Sequence, residues 1–178
     1  MKTLTDQLAQ YADYHRDRRN IATHLVGIPM IVLAVAILAS RPVWTHLDQV
    51  GAVSPATLLV GATVAYYLRL HLGYGLVMGA LLAGAHVVGQ AVAAQATGIW
   101  LGLGLALFGV GWVIQFIGHA FEGRKPAFVD DLVGLVIGPL FVVAEVGFAL
   151  HLGRGVKAAV EARVGPTRVG RRTMQTCP

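Results

Sequence analysis

The side chains able to do chemistry in this sequence are its histidines and carboxylates. Seven histidines and nine Asp and Glu residues occur among 178, with one cysteine, Cys177. A lone thiol excludes an internal disulfide and any Cys-rich zinc or iron–sulfur site, so a metal would have to be held by imidazole and carboxylate. His15, His24, His71 and His119 fall at the polar ends of apolar segments, whereas His46, His86 and His151 read as structural. In Gln115-Phe-Ile-Gly-His119-Ala-Phe-Glu122, steps of four and three put Gln115, His119 and Glu122 on one helical face. An imidazole and a carboxylate so placed can ligate a metal, or one can orient the other as a ligand. Arg124 and Lys125 follow, just before Pro126 ends the helix, and two cations there could receive a carboxylate. The plain alternative is that His119 pairs with Glu122 while Arg124 and Lys125 reach for the water boundary.

His15 and His24 are nine residues apart, about half a turn out of phase on one straight helix, so they can share a metal only if the chain bends between them. Asn20 is the candidate N-cap that would supply the bend. Tyr14 and Asn20 also have plain readings, as an interfacial anchor and a cap. Glu145 lies inside the last apolar segment, where an ionisable group needs a partner or a wet cavity. It could orient a histidine, carry a proton, bind the metal or pair structurally.

The elements that must position these residues follow from composition. The chain is 56% hydrophobic and 13% charged, against roughly 25% charged in soluble domains. A water-soluble enzyme and a disordered chain are excluded. Residues 1–23 pattern as an amphipathic surface helix with Leu4, Leu8, Tyr11, Ala12 and His15 on one face, and no signal cleavage is expected. Five apolar segments follow, at about 24–40, 55–70, 74–96, 99–120 and 132–150, each near the length of a membrane span. Gly75, Gly79 and Ala83, then Gly102, Gly104, Gly109 and Gly111, predict close helix packing. The expected fold is all-α: a multi-pass transmembrane bundle of four to five segments with an N-terminal amphipathic helix. One domain over 1–153 is expected, then a basic, disordered tail over 154–178.

The net charge of +5 sits at segment ends, the pattern of the positive-inside bias rather than of nucleic-acid binding. With the N-terminus cytoplasmic, His15, His24, the Arg69–His71 turn and the stretch from His119 to Lys125 share one face. A fifth full crossing would put the basic tail outside, so the last segment is expected to re-enter, broken at Gly134, Gly138 and Pro139. The expected setting is a bacterial inner membrane with the site on its cytoplasmic face.

Three motifs then carry a resemblance: Tyr14-His15-x4-Asn20-x3-His24-x4-Pro29, Gln115-Phe-x-Gly118-His119-x2-Glu122-x3-Pro126-Ala127, and Gly138-Pro139-x5-Glu145. Across about residues 8–150 the chain resembles the Mpo1-like family. The resemblance implies a small multi-pass membrane protein. It also implies an oxygen- and Fe(II)-dependent dioxygenase that converts a 2-hydroxy fatty acid to the acid one carbon shorter, without 2-oxoglutarate. His15, His24 and His119 match the motif histidines and are implied as iron ligands, with His71 and Glu145 open as further ones. Within that reading Tyr14 would donate to bound oxygen, Glu122 would be a catalytic or orienting carboxylate, and Arg124 or Lys125 would clamp the substrate carboxylate. The HxxxH and HxxHH clusters of membrane di-iron enzymes are missing from the sequence. The partners are then the 2-hydroxy fatty acid, O2 and membrane lipid, with a homo-oligomer left open. Two rivals remain: a membrane haem protein with histidine axial ligands, and a transport or non-catalytic bundle, for which no inverted repeat is visible.

Overall fold

Thr3 opens helix α1 (Leu4–Asp13) through a reciprocal cap, its hydroxyl accepting the Asp6 N–H while the Asp6 carboxylate accepts the Thr3 N–H. In this computed structural model, which describes residues 2–48 and 51–169, the chain then turns at an elbow over residues 14–17 and enters α2 (Arg18–Ala39). Cys177, Arg171 and Arg172 lie outside the described residues. The cap of α2 is Asp17, which accepts the Arg19 N–H at 2.9 Å, and not Asn20. The helix begins earlier than expected, so Asn20 sits in its first turn with its side chain free for another task.

A short antiparallel hairpin, β1 (Thr45–Leu47) and β2 (Gly51–Val53), links α2 to α3 (Pro55–Leu70). Pro55 occupies the first turn of α3, where its missing N–H costs nothing. His71 alone, in extended backbone, separates α3 from α4 (Leu72–Ala93). Next come α5 (Thr97–Glu122), a 3-10 turn at Ala127–Val129, α6 (Gly134–Ala149) and α7 (Arg154–Val164). The chain is thus an all-α membrane protein. Helices α2, α4 and α5 are long and apolar enough to cross a bilayer, and α6 with α7 adds one candidate span broken by 113°. Helix α3, at 16 residues, rises about 24 Å, short of the roughly 30 Å hydrocarbon core.

Pro139 lies inside α6, and the chain breaks after it instead, where His151 and Gly153 both take φ of +62°. Helix α6 runs through Pro139 even though the ring removes one N–H from the helical ladder. Residues 154–164, expected as disordered tail, form α7. Val156, Val160 and Val164 recur every fourth residue and pack against the core, and α7 lies on α1. The tail cations return to the histidine end: Arg163 pairs with Asp6 at 2.6 Å and Arg168 with Glu122 at 3.0 Å. The charge conflict seen in the sequence is resolved by that return.

The apolar face of α1, including Leu4, Leu8, Tyr11 and Ala12, is covered by α6 and α7 rather than by lipid. Helices α2 and α5 form the principal pair. A Cβ added to Gly111 would stand 3.0 Å from the Gly27 carbonyl oxygen and 2.7 Å from Ile31, so the two backbones nearly touch. Gly104 also packs against α2, while Gly102 and Gly109 face open space. On α4, Gly75 meets the backbone of α3 at Leu68. At the far end Arg41 donates to the carbonyls of Ala93 and Gln95 and lies 4.7 Å over the Trp100 ring. The Trp100 indole N–H donates in turn to the Ile37 carbonyl at 2.8 Å.

Gly111→Val should therefore force α2 from α5 and lower stability by about 1–3 kcal/mol, while Gly102→Val should leave it unchanged. Thermal unfolding of both variants in detergent checks this; equal midpoints would mean the close approach does not hold the pair.

Candidate metal centre

Three imidazoles meet where the elbow, α2 and α5 converge. His15 rides on the elbow, His24 on the second turn of α2 and His119 on the last turn of α5, with exposures of 0%, 2% and 6%. The bend needed to bring His15 to His24 is the elbow itself. One ligand-competent nitrogen from each ring lies within 4.8 Å of the others, and the rings meet edgewise with centroids 4.4 to 5.1 Å apart.

The tautomers follow from the backbone. His15 Nδ1 lies 2.7 Å from the Tyr11 carbonyl and His24 Nδ1 lies 2.9 Å from the Asn20 carbonyl. A carbonyl only accepts, so both Nδ1 atoms carry the proton and both Nε2 atoms present lone pairs. Those two Nε2 atoms are 3.0 Å apart. Facing lone pairs repel, and a shared cation removes the conflict. Imidazole nitrogens bind first-row ions at about 2.0–2.1 Å, so two donors on one ion lie about 3 Å apart, as these do. His119 Nδ1 is buried with no protein hydrogen-bond partner. The donor set fits a divalent transition metal, with backbone carbonyls orienting two of its three rings.

Glu122 lies one turn beyond His119, and its side chain is fully buried. Its Oε2 accepts the backbone N–H groups of Arg16 at 3.0 Å and Asp17 at 2.7 Å and the Asn20 amide at 3.3 Å, while Oε1 accepts from Arg168 at 3.0 Å. The carboxylate thus clasps the elbow to α5. The elbow it holds carries His15. Arg168 reinforces the clasp through its backbone, donating to the Arg16 carbonyl at 2.8 Å and accepting the Arg18 N–H at 2.8 Å.

The other expected residues fall elsewhere. The Tyr14 hydroxyl donates to Asp130 at 2.7 Å on an exposed edge. Arg124 pairs with Asp13 at 2.9 Å and stacks on the Tyr14 ring, and Lys125 pairs with Asp130 at 2.5 Å. These ion pairs sit at the surface, on the segment that leaves the end of α5. His71 is exposed and caps α4. Glu145 faces Arg16 at 3.9 Å, not a histidine.

Tyr11 and Arg16 are what sequence reasoning missed. The Tyr11 ring stacks on His15 at 4.2 Å and 8°. Its position four residues before His15, on the same amphipathic face, was the available signal. The Arg16 guanidinium is buried and donates to the carbonyls of Ala12 and Gly165; nothing in the spacing separates it from the surface cations Arg18 and Arg19. Beside the histidines, a narrow, mostly apolar pocket opens between α2, α5 and α6. Tyr11, His24, Gln115 and His119 line its polar end, and Ile28, Ile31, Trp112 and Leu135 are among its apolar walls.

Burial first, and the neighbouring imidazole charges second, hold His15 well below the ordinary histidine value of 6.5. It therefore stays neutral in the fold, as a ligand must. Below about pH 6.5 the unfolded chain protonates this residue and the folded one does not, so stability falls as pH falls. The metal-free protein should lose thermal stability between about pH 7 and 5, and His15→Phe should show a shallower dependence; an unchanged slope would remove His15 as a contributor. Glu122→Ala strands two buried N–H groups, at about 1–3 kcal/mol each. It should lower both the unfolding midpoint and metal retention, with Glu122→Gln recovering part of each.

Comparisons with known proteins assign the chain to a family. The family model described as "2-hydroxy-palmitic acid dioxygenase Mpo1-like" matches residues 1–150. Over 160 residues the chain is 31% identical to the 2-hydroxy-palmitic acid dioxygenase MPO1 of Saccharomyces cerevisiae, spanning 89% of this chain and 87% of that protein. No solved structure matches it. A family model over most of the chain and a relative aligned along nearly its whole length place it without ambiguity: the chain belongs to the Mpo1-like family.

Proposed function

We propose that this protein is a non-haem Fe(II) dioxygenase that converts a 2-hydroxy fatty acid to the fatty acid one carbon shorter. The reading is carried by three clustered, buried imidazoles, two of which, His24 and His119, line an apolar pocket, in a chain whose yeast relative is named a 2-hydroxy-palmitic acid dioxygenase. The reaction consumes one hydroxy acid and one O2 and releases the shortened acid, carbon dioxide and water. His15, His24 and His119 hold the iron. Fe(II), when bound there, would supply the one-electron chemistry that lets O2 react with a closed-shell hydroxy acid.

The protein's own part is placement. The carbonyls of Tyr11 and Asn20 fix the tautomers of His15 and His24 so that Nε2 faces inward. Glu122 holds the elbow that carries His15. The stacked Tyr11 ring, with Phe141 5.6 Å from the His15 ring, shields the cluster from water. The acyl chain lies along Ile28, Ile31, Trp112 and Leu135, with its polar head toward the histidines. A haem between two of these rings is disfavoured, because His15 and His24 nitrogens 3.0 Å apart leave no slot for a macrocycle. The site faces the cytoplasm in this reading: Arg16, Arg18, Arg19, Arg124 and Lys125 flank it, whereas Arg41 marks the opposite end.

Detergent-purified protein given Fe(II), O2 and 2-hydroxypalmitate should yield the C15 acid by mass spectrometry, and none when chelated or anaerobic. His15→Ala, His24→Ala and His119→Ala should each lose bound iron by elemental analysis and at least about 100-fold in turnover. An iron-loaded, active His119 variant would remove that residue from the centre. Absence of product from iron-loaded wild type would sink the proposed reaction.

A further inference from the structure

Gln115 belongs neither to the histidine cluster nor to the Glu122 clasp, yet its placement is costly. It is 4% exposed, and neither its amide oxygen nor its amide nitrogen has a protein partner within hydrogen-bonding distance. A primary amide offers two donors and an acceptor oxygen, and native interiors rarely leave such groups unmatched. The amide is also wedged against α2. A Cβ added to Gly27 would overlap Nε2, so the amide cannot swing further toward that helix. Gln115 as a residue lines the pocket together with His24 and His119, one helical turn before His119 on α5, its amide atoms held in the seam with α2 at Gly27.

We propose that Gln115 is the specificity-determining residue that recognises the 2-hydroxyl of the substrate, an inference that rests on the dioxygenase reading above. The pocket and the substrate present their groups in the same order. From the histidine end toward the middle of α5 and α2 these are His119 and His24, then Gln115, then the apolar wall of Ile28, Ile31 and Trp112. Along the substrate they are the carboxylate, the hydroxyl on C2 and the alkyl chain. The group that meets Gln115 is therefore the one at the head of the chain. A hydroxyl both donates and accepts, as the amide does, whereas a carboxylate only accepts and an alkyl chain does neither. A fatty acid without the hydroxyl would fill the same wall, displace water and leave the amide unpaired. That is how a buried polar group rejects the analogue lacking its partner.

The test compares wild type with Gln115→Met, which keeps the length and bulk of the side chain but not its hydrogen bonds, and with Gln115→Leu should the first variant not fold. Dissociation constants for 2-hydroxypalmitate and palmitate are measured on metal-free protein in lipid nanodiscs, and KM and kcat on iron-loaded protein. The variants should bind 2-hydroxypalmitate at least about 10-fold more weakly and palmitate within about 2-fold of wild type, collapsing the preference between the two acids while iron is retained. Equal weakening of both acids would mark a structural role and overturn the assignment, as would an unchanged preference. Wild type that prefers the hydroxy acid but does not oxidise it, with the preference lost in the variants, would overturn the dioxygenase reading alone. Wild type that turns over normally beside variants with unchanged preference would overturn the Gln115 assignment alone.

Discussion

The structure hangs on one buried carboxylate. Glu122, at the end of the longest helix, accepts two backbone N–H groups from the elbow between α1 and α2, an amide from Asn20 and a guanidinium from Arg168. Peptide groups at a chain reversal lack the helical partners that would satisfy them, and buried N–H groups without acceptors are rare because they are costly. By meeting that need from a neighbouring helix, Glu122 makes the bend stable. The bend in turn sets His15 against His24. The C-terminal strand of backbone at Arg168 lies across the same elbow, so distant parts of the chain close on a few atoms around the cluster.

The second constraint is how closely α2 and α5 approach. In lipid, burial of apolar surface does not drive helices together; packing between small residues does. Gly27 and Gly111 bring the backbones nearly into contact midway, and Arg41 with Trp100 fixes the far end. This sets His24 and His119 opposite each other, with ring centroids 5.1 Å apart. The same pair forms two walls of the apolar pocket beside the histidines. The pocket thus lies toward the polar end of helices long and apolar enough to cross a bilayer.

Element types and most boundaries were legible because apolar runs, proline stops and helical periodicity act locally. The apolar segments appear as helices, and the amphipathic pattern of Leu4, Leu8, Tyr11 and Ala12 marks the face that α1 buries. The tail was misread for a physical reason. Its valine spacing is a weak signal in a cation-rich stretch, and only contact with α1 makes α7 worthwhile. The expected break at Gly138-Pro139 failed because a glycine and a proline permit a break without imposing one.

By itself the sequence placed His15, His24, His71 and His119 at the polar ends of apolar segments, and its motifs singled out three of them; the structure gathers those three and leaves His71 exposed at the start of α4. The roles around them were decided by tertiary structure. Tyr14, Arg124 and Lys125 share the site's segments but point to an exposed ion cluster with Asp13 and Asp130. Tyr11, Arg16 and Gln115 instead reach the interior. Which way a side chain at a helix end turns depends on the packing of helices remote in sequence and on the satisfaction of buried polar groups. Neither quantity exists until the chain has folded.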